Sequence, residues 1–112
     1  TDGQEEREFL YAQDCCEALE TVMNNYDDFK SEDELHVTSF NSIKIIDIAH
    51  IIQQKFEMIG KNVIVKPSID IDTVQQNSKN IASRYLSNWW KPKTSLDDGI
   101  SKVFTSMKKN YD

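Results

Sequence analysis

The sequence predicts a small mixed α/β domain, with about four helices and two or three short strands. Three observations carry that prediction. Apolar residues recur at steps of three and four in several long windows, short segments between them alternate apolar and polar residues, and no internal repeat or low-complexity tract intervenes. At 112 residues and 13.0 kDa there is room for one core, so a single domain over residues 1–112 is expected. Hydrophobic residues make up 38% and charged residues 29%, enough apolar side chain for folding.

Taken in order, residues 8–11 read as a short strand. Ala12, Cys15, Cys16, Leu19, Val22, Met23 and Tyr26 then form the stripe of an amphipathic helix with that stripe buried. Asn24, Asn25 and the acidic stretch 27–34 read as a solvated loop, and residues 35–38 alternate Leu35 and Val37 with His36 and Thr38, a candidate strand. Ser42 is placed to cap a second helix, with Ile45, Ile46, Ala49, Ile52, Phe56 and Ile59 on one face and Gly60 as its stop. Residues 63–65 read as a strand ended by Pro67. A short helix after Ser78 would put Ile81, Ala82, Tyr85 and Leu86 on one side. The last helix starts at a Ser95/Asp98 capping pair, carries Leu96, Ile100, Val103, Phe104, Met107 and Tyr111, and has Lys108 and Lys109 in its final turn.

With 13 Lys and Arg against 19 Asp and Glu, the net charge is -6 and the pI about 4.8, the wrong sign for a phosphate backbone. Neither nucleic acid nor a membrane is an expected partner. No apolar run reaches the roughly 20 residues of a membrane span, and residues 1–3 resemble no signal peptide, so a cytoplasmic protein is expected. The chain opens on Thr1 instead of Met, from which processing, proteolysis or truncation is inferred. Cys15 and Cys16 are adjacent, so their side chains diverge; they read as reduced core thiols, and no Cys or His lies at metal-ligand spacing around them.

Three blocks carry a resemblance. Residues 2–14, DGQEEREFLYAQD, are similar to a pattern close to G-x-G-x-x-x-R-[DE]-F-x-[YH]-V-x-D. Residues 40–49, FNSIKIIDIA, are similar to a turn followed by S-[IV]-x-E-[LI]-A. Residues 90–100, WKPKTSLDDGI, are similar to W-x-P-x-[TV]-S-L-[ED]-[ED]-G-[IL], and residues 77–79 resemble a D-x-S-K helix start. In this order they resemble the C-terminal, substrate-binding lobe of extended short-chain dehydrogenase/reductases, the NAD-dependent nucleotide-sugar epimerases and dehydratases.

The resemblance implies that Arg7 contacts the diphosphate of a nucleotide sugar, a task suited to its planar bidentate donor set. Gln4 and Asp2 are further polar groups beside it, although turn formation explains both equally well. The family supplies a second Arg ahead of its D-x-S-K segment. Residues 67–76 contain none, and Gln75, Gln76 or Lys66 are the substitutes at hand. NAD(P) is implied for the full-length enzyme, and the resemblance places that family's glycine-rich dinucleotide turn and catalytic Tyr-x-x-x-Lys pair in the N-terminal lobe. No catalytic, cofactor-binding or metal-binding residue is therefore assigned. The implied partners are the nucleotide-diphosphate sugar and the missing N-terminal Rossmann lobe, and the implied setting is polysaccharide precursor synthesis by an isomerase or lyase. The alternative is a free-standing, non-catalytic interaction domain descended from such a lobe. Either way, apolar surface left uncovered favours self-association.

Trp90 reads as packing, and Trp89 as partly exposed, with base stacking a minor reading. His36 and His50 read as surface residues, and Asp70 and Asp72 as solvent-facing.

Overall fold

The computed structural model describes residues 1–31, 33–71 and 81–111. Strand β1 (Glu6–Glu8) leads into helix α1 (Ala12–Asn24). Strand β2 (Ser42–Lys44) runs directly into helix α2 (Ile45–Met58), and helix α3 (Leu96–Tyr111) closes the chain. Two 3-10 turns, Tyr26–Asp28 and Tyr85–Asn88, lie in the connections. The two strands pair antiparallel with Glu6 opposite Lys44, Arg7 opposite Ile43 and Glu8 opposite Ser42.

The N-terminal segment supplies the cap that Ser42 was expected to provide. Ser42 lies in β2, and no side chain caps α2. Instead the Ile45 and Ile46 amides, two of the four donors that a helix start leaves open, donate to the carbonyls of Glu5 and Gly3 at 3.1 and 2.9 Å. Gly3 holds φ +77°, and a Cβ there would stand 2.8 Å from that of Ile46, so the close approach requires glycine. At the other end Gly60 also takes φ +77°. Its amide donates to Glu57 O (3.0 Å) and that of Lys61 to Phe56 O (3.0 Å), the paired bonds of a Schellman stop. In α3 the Asp98 amide donates to Ser95 Oγ at 3.2 Å, as the capping pair predicts.

Three expectations are corrected. The described residues contain three α-helices, not about four. The segment expected to be helical around Ile81 to Leu86 is a 3-10 turn from Tyr85, and the Ser78 helix start lies outside the described residues. There the amides that would begin a helix are taken by side chains: Ser83 N–H donates to His36 Nδ1 (2.8 Å) and Tyr85 N–H to Ser83 Oγ (3.3 Å). Two strands are found among the described residues, neither at 35–38 nor at 63–65, and β1 falls two residues early. Leu35 and Val37 still pack on the core, so their alternation reports burial without a ladder partner.

The third correction concerns α1. Its stripe was expected inside, yet Leu19 is 54%, Met23 76% and Tyr26 75% exposed, and Cys16 is exposed as well. The buried line is Asp14 and Ala18, with Val22 packed beside it. Ala18 fits under Leu86 and Trp90, the other members of the core, around which Leu10, Phe29, Leu35 and Phe40 gather.

Candidate functional site

Arg7 lies at the centre of β1 opposite Ile43, and its Nη1 donates to the Glu6 carbonyl at 2.8 Å. Cross-strand partners share a sheet face, so Arg7 is on the side of Ile43, away from Glu6 and Glu8. Gln4 is exposed just before the strand; its amide donates to Asp2 Oδ1 (3.0 Å), and its side-chain carbonyl accepts from Lys44 Nζ (3.1 Å). The structure therefore puts Gln4 and Lys44 together, and Lys44, opposite Glu6, is on the sheet face that Arg7 points away from. Gln75, like Gln76, Asp72 and residues 77–79, lies outside the described residues. Arg84, the other arginine of the chain, has its guanidinium 4.9 Å from the ring centroid of Phe40, a residue held at φ 56°.

The first and third sequence blocks meet in space. The Asp14 carboxylate, 2% exposed, accepts from the amides of Thr94 (2.8 Å) and Lys93 (3.2 Å) and lies 3.4 Å from Thr94 Oγ1. A buried carboxylate is tolerated only with such donors. Beside it Gly99 leaves room for Tyr11, whose ring would sit 3.4 Å from an added Cβ, while Lys102 Nζ stands 5.1 Å from the Tyr11 centroid. In the sequence Asp14 and Thr94 are motif letters only; the structure gives them an architectural task. The signal available for it is an acid in the first turn of a helix, in register with Ala18 and Val22 four and eight positions on.

A trough of about 980 Å³ opens between α2 and α3, floored by residues 9–12. Ile52, Phe56, Val103, Phe104 and Met107 supply its apolar walls, and Phe56 meets Phe104 edge to face at 5.0 Å. Neither Arg7 nor Gln4 lines it. The sequence marks these stripes as apolar, and the structure leaves them lining an open trough. At the opposite side of the chain Trp89 packs against Phe29 (4.8 Å) and Tyr85 (5.2 Å), which engages it internally, and Trp90 is buried. His36 is more than a surface residue, since its Nδ1 accepts from Ser83; His50 is exposed. Cys16 is an exposed thiol, not a core one. Among the described residues no three His, Cys, Asp or Glu side chains are grouped to hold a metal ion, and no helix is long and apolar enough to cross a membrane.

No family model matches the chain. It is similar to a protein named GDP-L-fucose synthase from Sinorhizobium fredii (strain NBRC 101917 / NGR234). The two are 32% identical over 112 aligned positions, which take in 96% of this chain. The chain spans about a third, 32%, of that relative's length. This likeness agrees in kind with the resemblance to nucleotide-sugar epimerases and dehydratases carried by the three blocks. The residues present do not fit a dinucleotide. Gly3 is pressed against Ile46, Gly60 stops α2 and Gly99 packs on Tyr11, so no glycine forms a strand-turn-helix cradle, and no step through nicotinamide is assigned to this chain.

Proposed function

We propose that this chain is the nucleotide-sugar-binding lobe of a longer NAD-dependent epimerase or dehydratase of the extended short-chain dehydrogenase/reductase family, without catalytic groups of its own. The observation that carries the reading is the 32% identity to GDP-L-fucose synthase over 96% of the chain. The contact of Asp14 with Thr94 supports it, because the residues that carry the resemblance also hold one another in place. In this reading Arg7 grips the diphosphate, with Gln4 and Gln75 as further polar contacts to the substrate. Charge-assisted bonds to phosphate are roughly twice as strong as neutral ones, so Arg7 is the principal contact. Hydride exchange with NAD(P) belongs to the Rossmann lobe of the full-length enzyme, and an isomerase or lyase feeding polysaccharide synthesis is the fitting class.

The test is an NMR titration of the chain with GDP-, UDP- and dTDP-sugars. Shifts are expected at Glu6, Arg7 and Lys44, with binding weakened about tenfold or more in Arg7→Ala, corresponding to roughly 1.4 kcal/mol. Binding that is indifferent to Arg7→Ala overturns the diphosphate assignment.

The exposed faces of α1 and of the trough favour a second reading, a non-catalytic interaction domain descended from such a lobe. The encoding reading frame separates the two. A glycine-rich strand-turn-helix and a Tyr-x-x-x-Lys upstream support the enzyme, and a translation start near Thr1 supports the interaction domain.

A further inference from the structure

We propose that the trough between α2 and α3 receives the outer face of α1 from a second copy of this chain. The trough is apolar, and every charged residue lining it is a lysine: Lys61, Lys93 and Lys108. That is notable in a chain of net charge -6. Lys93 is already paired with Glu17 of its own α1 at 3.1 Å; Lys61 and Lys108 have no ion pair among the described residues.

The outer face of α1 is complementary in both respects. Cys16, Leu19 and Met23 follow one another on α1 at steps of three and four, all exposed, and so form an apolar stripe pointing to solvent, with exposed Tyr26 in the turn just beyond the helix. Residues 8–29 contain Glu8, Asp14, Glu17, Glu20, Asp27 and Asp28, and no Lys or Arg. Glu20 and Asp27 are exposed beside the stripe. The seven steps from Cys16 to Met23 cover about 10 Å at helical rise, and the 14 residues of α2 about 21 Å, so the stripe fits within the length of the trough's wall.

A helix laid in a groove formed by two others is an established recognition mode. The same chain cannot satisfy both surfaces, because the bonds from Asp14 to residues 93 and 94 fix α1 with its stripe outward. The surface area points the same way. The chain exposes 8514 Å², whereas a compact protein of its mass exposes about 6,300 Å². The excess, roughly 2,000 Å² per chain or about 4,000 Å² for a pair, is of the order that an obligate homodimer interface removes. Since Arg7 and Gln4 belong to neither surface, the inference stands apart from the nucleotide-sugar reading.

Sedimentation velocity on the 112-residue chain, from micromolar to millimolar concentration, tests it. The wild type is expected to self-associate, and less so as salt is added. Lys61→Glu with Lys108→Glu, and separately Glu20→Lys with Asp27→Lys, should each weaken association at least tenfold; an equimolar mixture of the two variants should restore it, because opposite charges face each other again. Met23→Ser, which changes no charge at a residue 76% exposed, should give a comparable loss while leaving the circular dichroism of the fold unchanged. A wild type that stays monomeric overturns the proposal. So does association indifferent to either charge reversal or to Met23→Ser, or a mixture that remains dissociated.

Discussion

At the scale of single residues, the strongest dependence is on Asp14. Its carboxylate satisfies the amides of Lys93 and Thr94 in a site only 2% exposed, so Asp14→Ala strands buried donors as well as removing a charge. A loss of about 2–4 kcal/mol is expected in urea unfolding, well above that of an ordinary surface acid such as Glu20→Ala. Gly3 makes the opposite kind of demand. Gly3→Ala combines a positive φ with a Cβ 2.8 Å from that of Ile46 and should cost roughly 2 kcal/mol or more. Tyr85 carries a pH dependence. Desolvation against its neighbours Trp89 and Phe29, then the negative charges of Asp33 and Asp28, hold its phenol above the ordinary 10.0. Its contribution to stability is complete below pH 10. As pH rises further the unfolded chain ionises first, and that contribution is lost progressively up to the raised value. Absorbance titration of the tyrosines should show a late ionisation that Tyr85→Phe removes.

At the scale of elements, α2 shows how local signals and tertiary partners divide the work. Its C-terminal stop is autonomous, because Gly60 can adopt φ +77° and close both terminal bonds. Nothing stands within 4 Å of a Cβ added at Gly60, so Gly60→Ala should cost only the left-handed backbone penalty, about 1 kcal/mol and less than Gly3→Ala. Paired thermal denaturations of the two variants would check the order. The start of α2 is different, since its first amides are bonded by the carbonyls of Gly3 and Glu5, forty or more positions away. Helix α3 is held to α2 by Phe56 against Phe104 and by the ion pair of Lys55 with Asp97 at 3.0 Å. The pair is partly exposed and contributes little; the aromatic contact does more.

At the scale of the whole molecule, the chain is broad and thin. Its radius of gyration is 17.2 Å, against about 13 Å for a compact domain of this length, and the buried hydrophobic residues among those described are Ala18, Leu86 and Trp90. So small a core supports little stability, and covering the trough and the α1 stripe should add to it. The melting temperature is therefore expected to rise with protein concentration, since association that binds only the folded form stabilises it by mass action. Differential scanning calorimetry over a hundredfold concentration range would register that rise, and Met23→Ser should flatten it.

The sequence by itself determined where α2 and α3 lie, through a 3.6-residue apolar period, the Gly60 stop and the Ser95 to Asp98 cap, because each of these is a bond or a period within one turn of chain. It also carried the blocks behind the family resemblance, with Arg7 among them. Only the tertiary structure decided that Ser42 joins a strand, that residues 35–38 find no ladder, and that Arg7 stands outside the large trough. It decided the facing of α1 as well. Periodicity reveals that a helix has an apolar side, but burial is a relation between surfaces, and the partners of Asp14 and Ala18 lie near residues 86–94, some seventy or eighty positions along the chain.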